Sequence, residues 1–157
     1  MERTFVMIKP DGVDRGIAGE LISRIEKKGY RIVAMKMLWI DEKLAKKHYN
    51  EHIEKSFFPK LLHFVTSGPV IAMVVEGMEV IAGMRKLFGK TNPLEANTGT
   101  LRGDYGVITT YNLIHASDSL KSSTREIPIF FEENEIVNYK RSIDKWFDPT
   151  VMFDNVK

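Results

Sequence analysis

The sequence predicts an α/β (α+β) sandwich, a mostly antiparallel four-stranded sheet with helices packed on it, and three observations predict it. Apolar runs of strand length, Phe5-Val6-Met7-Ile8 and Val70 to Val75 among them, read as buried strands. Between such runs, apolar residues recur at helical spacing, as Ile17, Leu21, Ile22 and Ile25 do. Glycine and proline fall between the segments, at Lys9-Pro10-Asp11-Gly12 and Ser67-Gly68-Pro69, and mark turns.

In chain order, Arg3 to Ile8 is the first strand, and Lys9 to Gly16 turns out of it toward a helix from Gly19 to Lys28 that Gly29 stops. Tyr30 to Ile40 is rich in residues that suit a pleated sheet, and Asp41 is placed to cap a helix from Glu42 to Tyr49. Ser56 caps the next helix, with Pro59 in its first turn, Leu61, Leu62 and Val65 on its buried side, and Gly68 at its end. Those two helices form a hairpin. Pro69 to Glu76 is the third strand, Met78 to Phe88 another helix, and Gly89 to Gly106 a long loop before the fourth strand and His115. The order β-α-β-αα-β-α-β-α is that of a ferredoxin-like sandwich, with helices covering one face of the sheet.

Composition narrows the function classes. A chain of 157 residues is expected to be one domain, 1–157, with one sizeable core, and 43% hydrophobic with 28% charged residues argues against disorder. The net charge of +2 is too small to call for a polyanion partner, so no specific nucleic acid is expected. The absence of cysteine rules out disulfides and thiolate zinc sites and suits a reducing cytoplasm. Val70 to Val75 falls far short of the roughly 20 residues needed to span a bilayer, and the first residues enter a strand with no signal segment, so a soluble cytoplasmic protein without a membrane partner is expected.

Chemistry concentrates in two places. Asn112-Leu113-Ile114-His115-Ala116-Ser117-Asp118-Ser119 delivers an imidazole at the end of an apolar strand, with hydroxyls and a carboxylate behind it. An unperturbed imidazole, with a pKa near ~6.5, is mostly neutral at pH 7 and attacks phosphorus without prior activation. A His in this setting also serves as a hydrogen-bonded core residue. At the other end of the chain, within Lys9 to Gly16, proline fixes φ and glycine permits a left-handed turn, so the ammonium of Lys9 leaves the sheet edge at a defined place. A strand-end lysine with a strand-end histidine suggests phosphate chemistry.

With both segments in hand, the chain resembles the nucleoside-diphosphate kinase family over about residues 2 to 140, leaving 141–157 as an extension. Ile8 to Val13 with Arg15-Gly16 matches the family's first block, and Asn112 to Ser119 matches its active-site block. His48-Tyr49, Phe57-Phe58, Ser67-Gly68-Pro69-Val70, Glu76-Gly77, Thr91-Asn92-Pro93 and Gly99 to Asp104 follow in the family's order and spacing. The resemblance implies the ferredoxin-like fold and a ping-pong exchange of γ-phosphate from ATP to nucleoside diphosphates. It assigns His115 as the nucleophile that becomes phosphohistidine. Lys9, Arg85, Thr91 and Arg102 hold the phosphates, Asn112 and Lys9 the ribose hydroxyl, and Phe57 stacks on the base with Leu61 nearby. Tyr49, Ser117 and Glu126 orient and polarise the imidazole. Magnesium (Mg2+) is implied on the nucleotide phosphates rather than in a protein cage, with Asp118 the nearest carboxylate, although a helix N-cap is its other role. A homo-oligomer, tetramer or hexamer, is implied as well.

Two departures stand beside these residues. The family most often has Gly after the active-site His, where this chain has Ala116, so negative φ is expected there with activity kept. Pro128 falls where the helix through Glu126 usually continues, and a helix-interior Pro costs about 3 kcal/mol, which puts the placement of Glu126 in question. In the tail, Trp146, Phe147, Val151, Met152 and Phe153 call for cover from this chain or a neighbouring subunit.

Other patterns fail on spacing or chemistry. Gly83 to Thr91 ends like a P-loop but has five residues between its glycines instead of four. His48 and His52 have zinc spacing but no third ligand in pattern. Arg102 to Val107 resembles an RNA-binding strand, yet Asp104 would face the phosphates. The alternatives to an enzyme are a nucleotide-binding regulatory module and an RNA-binding domain using Arg102 and Tyr105. The intact set of Lys9, Arg85, Arg102, Asn112 and His115 argues against the first, because a binding-only protein has no use for a nucleophile.

Overall fold

Strand β1 (Glu2–Ile8) is buried on both sides from Thr4 onward, which is why its apolar residues run unbroken instead of alternating. A computed structural model describes residues 1–152, and in it β1 lies inside a four-stranded sheet of order β2-β3-β1-β4. β2 (Arg31–Trp39), β3 (Pro69–Gly77) and β4 (Ile114–Ala116) complete the sheet, and every pairing is antiparallel. The helices are α1 (Pro10–Asp14), α2 (Ala18–Lys27), α3 (Glu42–His48), α4 (Phe58–Val65), α5 (Val80–Phe88), α6 (Leu101–Tyr105), α7 (Leu120–Phe130) and α8 (Pro149–Met152).

Helices cover both faces, where the sequence predicts one. Phe5 and Met7 join the core built with Ala45, Tyr49, Phe58, Val65 and Phe130, from α3, α4 and α7 and their flanks. Val6 and Ile8 join the core of Leu21 and Ile25 from α2, Ile81, Met84 and Phe88 from α5, and Leu101 from α6. A ferredoxin-like order alone does not fix this, because the helical hairpin between β2 and β3 can pack on either side of the sheet. The apolar β1 needs cover on both.

Local signals are mostly obeyed. The Asp41 carboxylate accepts the Leu44 N–H at 2.7 Å and caps α3, and Gly29 stops α2 at φ 96°. The cap on α4 is different: Phe57, not Ser56, occupies it, with no side-chain hydrogen bond. The loop from Gly89 to Gly106 contains α6, capped by Thr100, whose hydroxyl accepts the Gly103 N–H. α7 runs through Pro128 to Phe130. Pro128 and Thr124 are both exposed, so the Thr124 carbonyl that loses its partner is on the solvent side of the helix. Charges tie the far end of the sheet together. Glu76 accepts from Arg3 at 2.8 Å and from Arg31, and Arg31 also reaches Asp144 at 2.9 Å. Beyond β4, Trp146 and Phe147 stay exposed, and the expectation for Val151, Met152 and Phe153 lies outside the described side chains. No helix among the described residues is long and apolar enough to cross a membrane.

Phe5 stacks on Phe130 with ring centroids 4.4 Å apart, joining β1 to α7 directly behind the His115 ring. Phe5→Ala is therefore expected to cost about 3–5 kcal/mol. A urea titration of both proteins checks this, and an unchanged m-value confirms that folding stability alone has moved.

Candidate active site

One cleft of about 670 Å³ brings together Lys9, Tyr49, Phe57, Leu61, Arg85, Thr91, Arg102, Asn112, His115 and Glu126. These come from six separate stretches of chain. Ser117 is the one predicted site residue that does not line the cleft. Its hydroxyl is fully buried, donates to Glu126 Oε2 at 2.8 Å and accepts the Phe5 N–H at 3.3 Å.

The floor is cationic. β1 ends at Ile8, and the Lys9 amide donates to the Leu113 carbonyl at 2.9 Å, which fixes where its ammonium emerges. That ammonium donates to Asn112 Oδ1 at 2.6 Å, while Asn112 Nδ2 donates to the Thr91 carbonyl at 2.8 Å. Burial and then the Arg102 guanidinium lower the Lys9 pKa to about 8, against a smaller opposite pull from Asp11. Arg102, only 4% exposed, gives three N–H groups to backbone carbonyls: Asn112 at 3.2 Å, Gly89 at 2.9 Å and Ile114 at 2.5 Å. Burial, with Arg85 nearby, brings its pKa down to about 10. The sequence assigns Arg102 to phosphate alone. Here it is also the clasp that holds the loop ahead of β4. So buried a side chain is no platform for RNA, and Tyr105 points its hydroxyl to Glu20 instead.

His115 is the middle residue of β4, opposite Met7. Its Nε2 lies 2.9 Å from Glu126 Oε2. Glu126 also accepts from Ser117 at 2.8 Å and, on its other oxygen, from Arg125 at 3.2 Å. A carboxylate only accepts, so Nε2 carries the proton and the Nδ1 lone pair is left free. The unbroken α7 thus delivers Glu126 in spite of Pro128. Ala116 sits in strand conformation without positive φ, as expected.

Around the imidazole the walls are aromatic. His48 meets it edge-on at 4.9 Å between ring centroids, and Tyr49 stands at 6.5 Å. The Tyr49 hydroxyl is buried with no hydrogen-bond partner in the protein, and burial followed by the Glu126 charge raises its pKa. His48 is held neutral, its pKa driven well down by burial and then by His115 and nearby cations. At the mouth, Phe57 is half exposed beside Leu61, free to meet a flat ring.

Three residues have contacts beyond what the sequence discloses. Arg125 anchors α7 to the His48 carbonyl at 3.1 Å as well as to Glu126, and no motif signals it. Asp118 lines the cleft and accepts from the Ser119 and Ser122 hydroxyls on Oδ1, but Ser119, not Asp118, caps α7. His48, read as half of a zinc pair and as part of the resembling His48-Tyr49, borders the nucleophile candidate. His48, His115 and Glu126 bring ligand atoms within 4.8 Å of one another. Glu126 is already committed to three donors and five cationic side chains line the same cleft, so the arrangement favours an anion over a metal ion at that point.

The chain matches the sequence model of the family described as nucleoside diphosphate kinase over residues 2–136. It is 59% identical over 146 residues to the nucleoside diphosphate kinase of Listeria monocytogenes serotype 4a, covering 93% of this chain and 99% of that one. Against the Archaeoglobus fulgidus enzyme the identity is 57%, with 93% and 97% covered. Among solved structures, a nucleoside diphosphate kinase from Halobacterium salinarum in complex with CDP superposes with a TM-score of 0.91 at 48% identity, covering 92% of this chain and 97% of that one. A family protein from Babesia bovis gives 0.90 at 42%, covering 93% and 99%.

If the Lys9 ammonium is needed to receive an anion, kcat/KM should fall as pH rises through about 8, because above that value the free protein loses the charge. A pH profile of kcat/KM for phosphate exchange between 6 and 10, taken at constant ionic strength, measures that limb.

Proposed function

The chain belongs to the nucleoside diphosphate kinase family, and from that premise we propose that His115 is the nucleophile and the surrounding cleft residues its phosphate and nucleotide site. The enzyme moves the γ-phosphate of ATP to nucleoside diphosphates by a ping-pong route through a phosphohistidine. What carries the assignment to His115 is its hydrogen bond to Glu126. That bond holds Nε2 as the donor, so Nδ1 attacks the γ-phosphorus. The N–P bond forms as the bond from phosphorus to the bridging oxygen breaks, and ADP leaves with that oxygen. Positive charge that develops on the ring is met by the Glu126 carboxylate. In the second half-reaction a terminal oxygen of the incoming diphosphate attacks the phosphohistidine, and Nδ1 is the leaving group.

Lys9, Arg85, Thr91 and Arg102 surround the transferring phosphate, where a loose transition state places charge on the equatorial oxygens. Asn112 and Lys9 hold the ribose hydroxyl. Phe57, with Leu61 at its side, stacks on the base, and stacking on a π-face tolerates purines and pyrimidines alike. Tyr49 and Ser117 set the ring from behind, Ser117 through Glu126. The cationic lining, with Asp118 beside it, would suit Mg2+ carried in on the nucleotide phosphates with no protein atom as its direct ligand. Such an ion would supply neutralisation of phosphate charge.

The chain acts as one kinase domain and assembles with copies of itself. Support for assembly comes from β2, an edge strand that exposes Met35, Met37 and Trp39 at alternate positions. Nucleotide substrates and a sequence suited to a reducing compartment support work in the cytoplasm.

Purified protein mixed with γ-labelled ATP is expected to gain one acid-labile, base-stable phosphate, and His115→Gln to gain none. Glu126→Gln should keep the label but lower kcat by about a hundredfold. Full labelling of His115→Gln sinks the assignment.

A further inference from the structure

We propose that Asp11 is a positioning residue for this reaction, holding the strained turn that sets His115 beside Asn112 and Lys9; the inference rests on the role of His115 given above. Leu113 is fully buried at φ 74°, and the Ile114 N–H donates to the Asn112 carbonyl at 2.9 Å across it. That is a γ-turn with its central residue at positive φ, a rare and strained conformation for a residue with a side chain. The two residues flanking Leu113 on one side and following it on the other are Asn112 and Ile114, and His115 comes next. Relaxing Leu113 would therefore rotate the whole cleft floor.

The three carbonyls of the turn and the Leu113 N–H are held from outside. Arg102 takes the carbonyls of Asn112 and Ile114, and the Lys9 amide takes that of Leu113. The remaining group, the Leu113 N–H, donates to Asp11 Oδ2 at 3.0 Å. α1 comes close enough for this because Gly12 has no side chain: a Cβ there would stand 3.1 Å from the Leu113 carbonyl oxygen and 2.7 Å from Ile8 Cγ2. Asp11 does not line the cleft, so it acts through the turn and not on substrate. Its other oxygen is buried with no hydrogen-bond partner in the protein. An oxygen left this way is not explained by packing. Charge offsets part of its cost, because the Lys9 ammonium favours the carboxylate against burial. Asp11 is the carboxylate that opposes Arg102 at Lys9, with neutral His48 on the other side.

Asp11→Asn and Asp11→Ala separate the two contributions. The amide can still accept the Leu113 N–H but carries no charge, whereas Ala does neither. In single-turnover labelling of His115 by ATP, Asp11→Ala should be slowed by about tenfold or more, with ADP affinity changed less than about threefold. Amide hydrogen exchange at Leu113 should speed up in Asp11→Ala and stay slow in Asp11→Asn. Asp11→Asn should label within about threefold of wild type at pH 7 and show its alkaline limb at lower pH, since Lys9 loses its opposing charge. Wild-type labelling is the internal control: if the wild type does not label on His115, the nucleophile assignment fails. If it labels and Asp11→Ala does so equally fast, or Asp11→Asn matches Asp11→Ala in exchange and pH profile, the role given to Asp11 is wrong.

Discussion

Two buried cations with too little opposing charge govern this cleft. Lys9 and Arg102 stand on one floor: burial and Arg102 bring Lys9 to about 8, and burial with Arg85 brings Arg102 to about 10. Charges placed in a low-dielectric site without partners are costly, and the usual remedy is a salt bridge. Here Glu126 is turned to His115, Ser117 and Arg125, and Asp11 is turned to Leu113. The floor is left with a deficit of negative charge, which is what the proposed polyphosphate site requires. Preorganised cations aimed at an incoming anion need no rearrangement when charge develops on it, which is the main way a protein speeds phosphoryl transfer.

The same floor carries backbone strain. A residue at an unfavourable φ costs of order 1–3 kcal/mol and persists only where surroundings over-determine it. Leu113 meets that condition, since the carbonyls of Asn112, Leu113 and Ile114 and the Leu113 N–H are all engaged. Arg102 thus has two tasks that fit together. Its bonds to the Asn112 and Ile114 carbonyls fix the turn, a third ties in Gly89, and the fixed guanidinium then presents a charge that cannot swing away. A lysine in its place has no planar fork to hold three separate carbonyls.

How much of this the sequence discloses depends on whether the signal is local. Lys9, Asn112 and His115 are legible because each sits at or beside the end of an apolar strand, where side chains leave the sheet at fixed places. Asp41 and Gly29 are legible because cap chemistry needs only neighbours. Arg102 in its clasp is not, because its partners are backbone carbonyls at 89, 112 and 114 that have no residue signature. Nor is Arg125, a surface-type residue whose value lies in reaching the His48 carbonyl. Pro128 misleads for the opposite reason. Its penalty is largest when the freed carbonyl is buried, and in α7 that carbonyl belongs to an exposed residue. The cover on both faces of the sheet was written in the unbroken apolar run of β1, where alternation would have meant one wet face.

That buried strand also decides on which face the chemistry takes place. Side chains alternate along a strand, and residues paired across an antiparallel ladder point the same way. Met7 pairs with His115, so His115 shares the face of Phe5 and Met7, against α3, α4 and α7. Ile114 and Ala116 take the other face, packed with α2 and α5. His48, Tyr49, Phe57, Leu61 and Glu126 all come from the elements on the first face or their ends. A slip of one residue between β1 and β4 would turn His115 into the opposite core and bring Ile114 to the phosphate. β4 is only three residues long, too short to secure its own register by pairing. The turn at Leu113 supplies what the strand lacks, since a chain pinned at Leu113 by Lys9 and Asp11 can enter the sheet in one register.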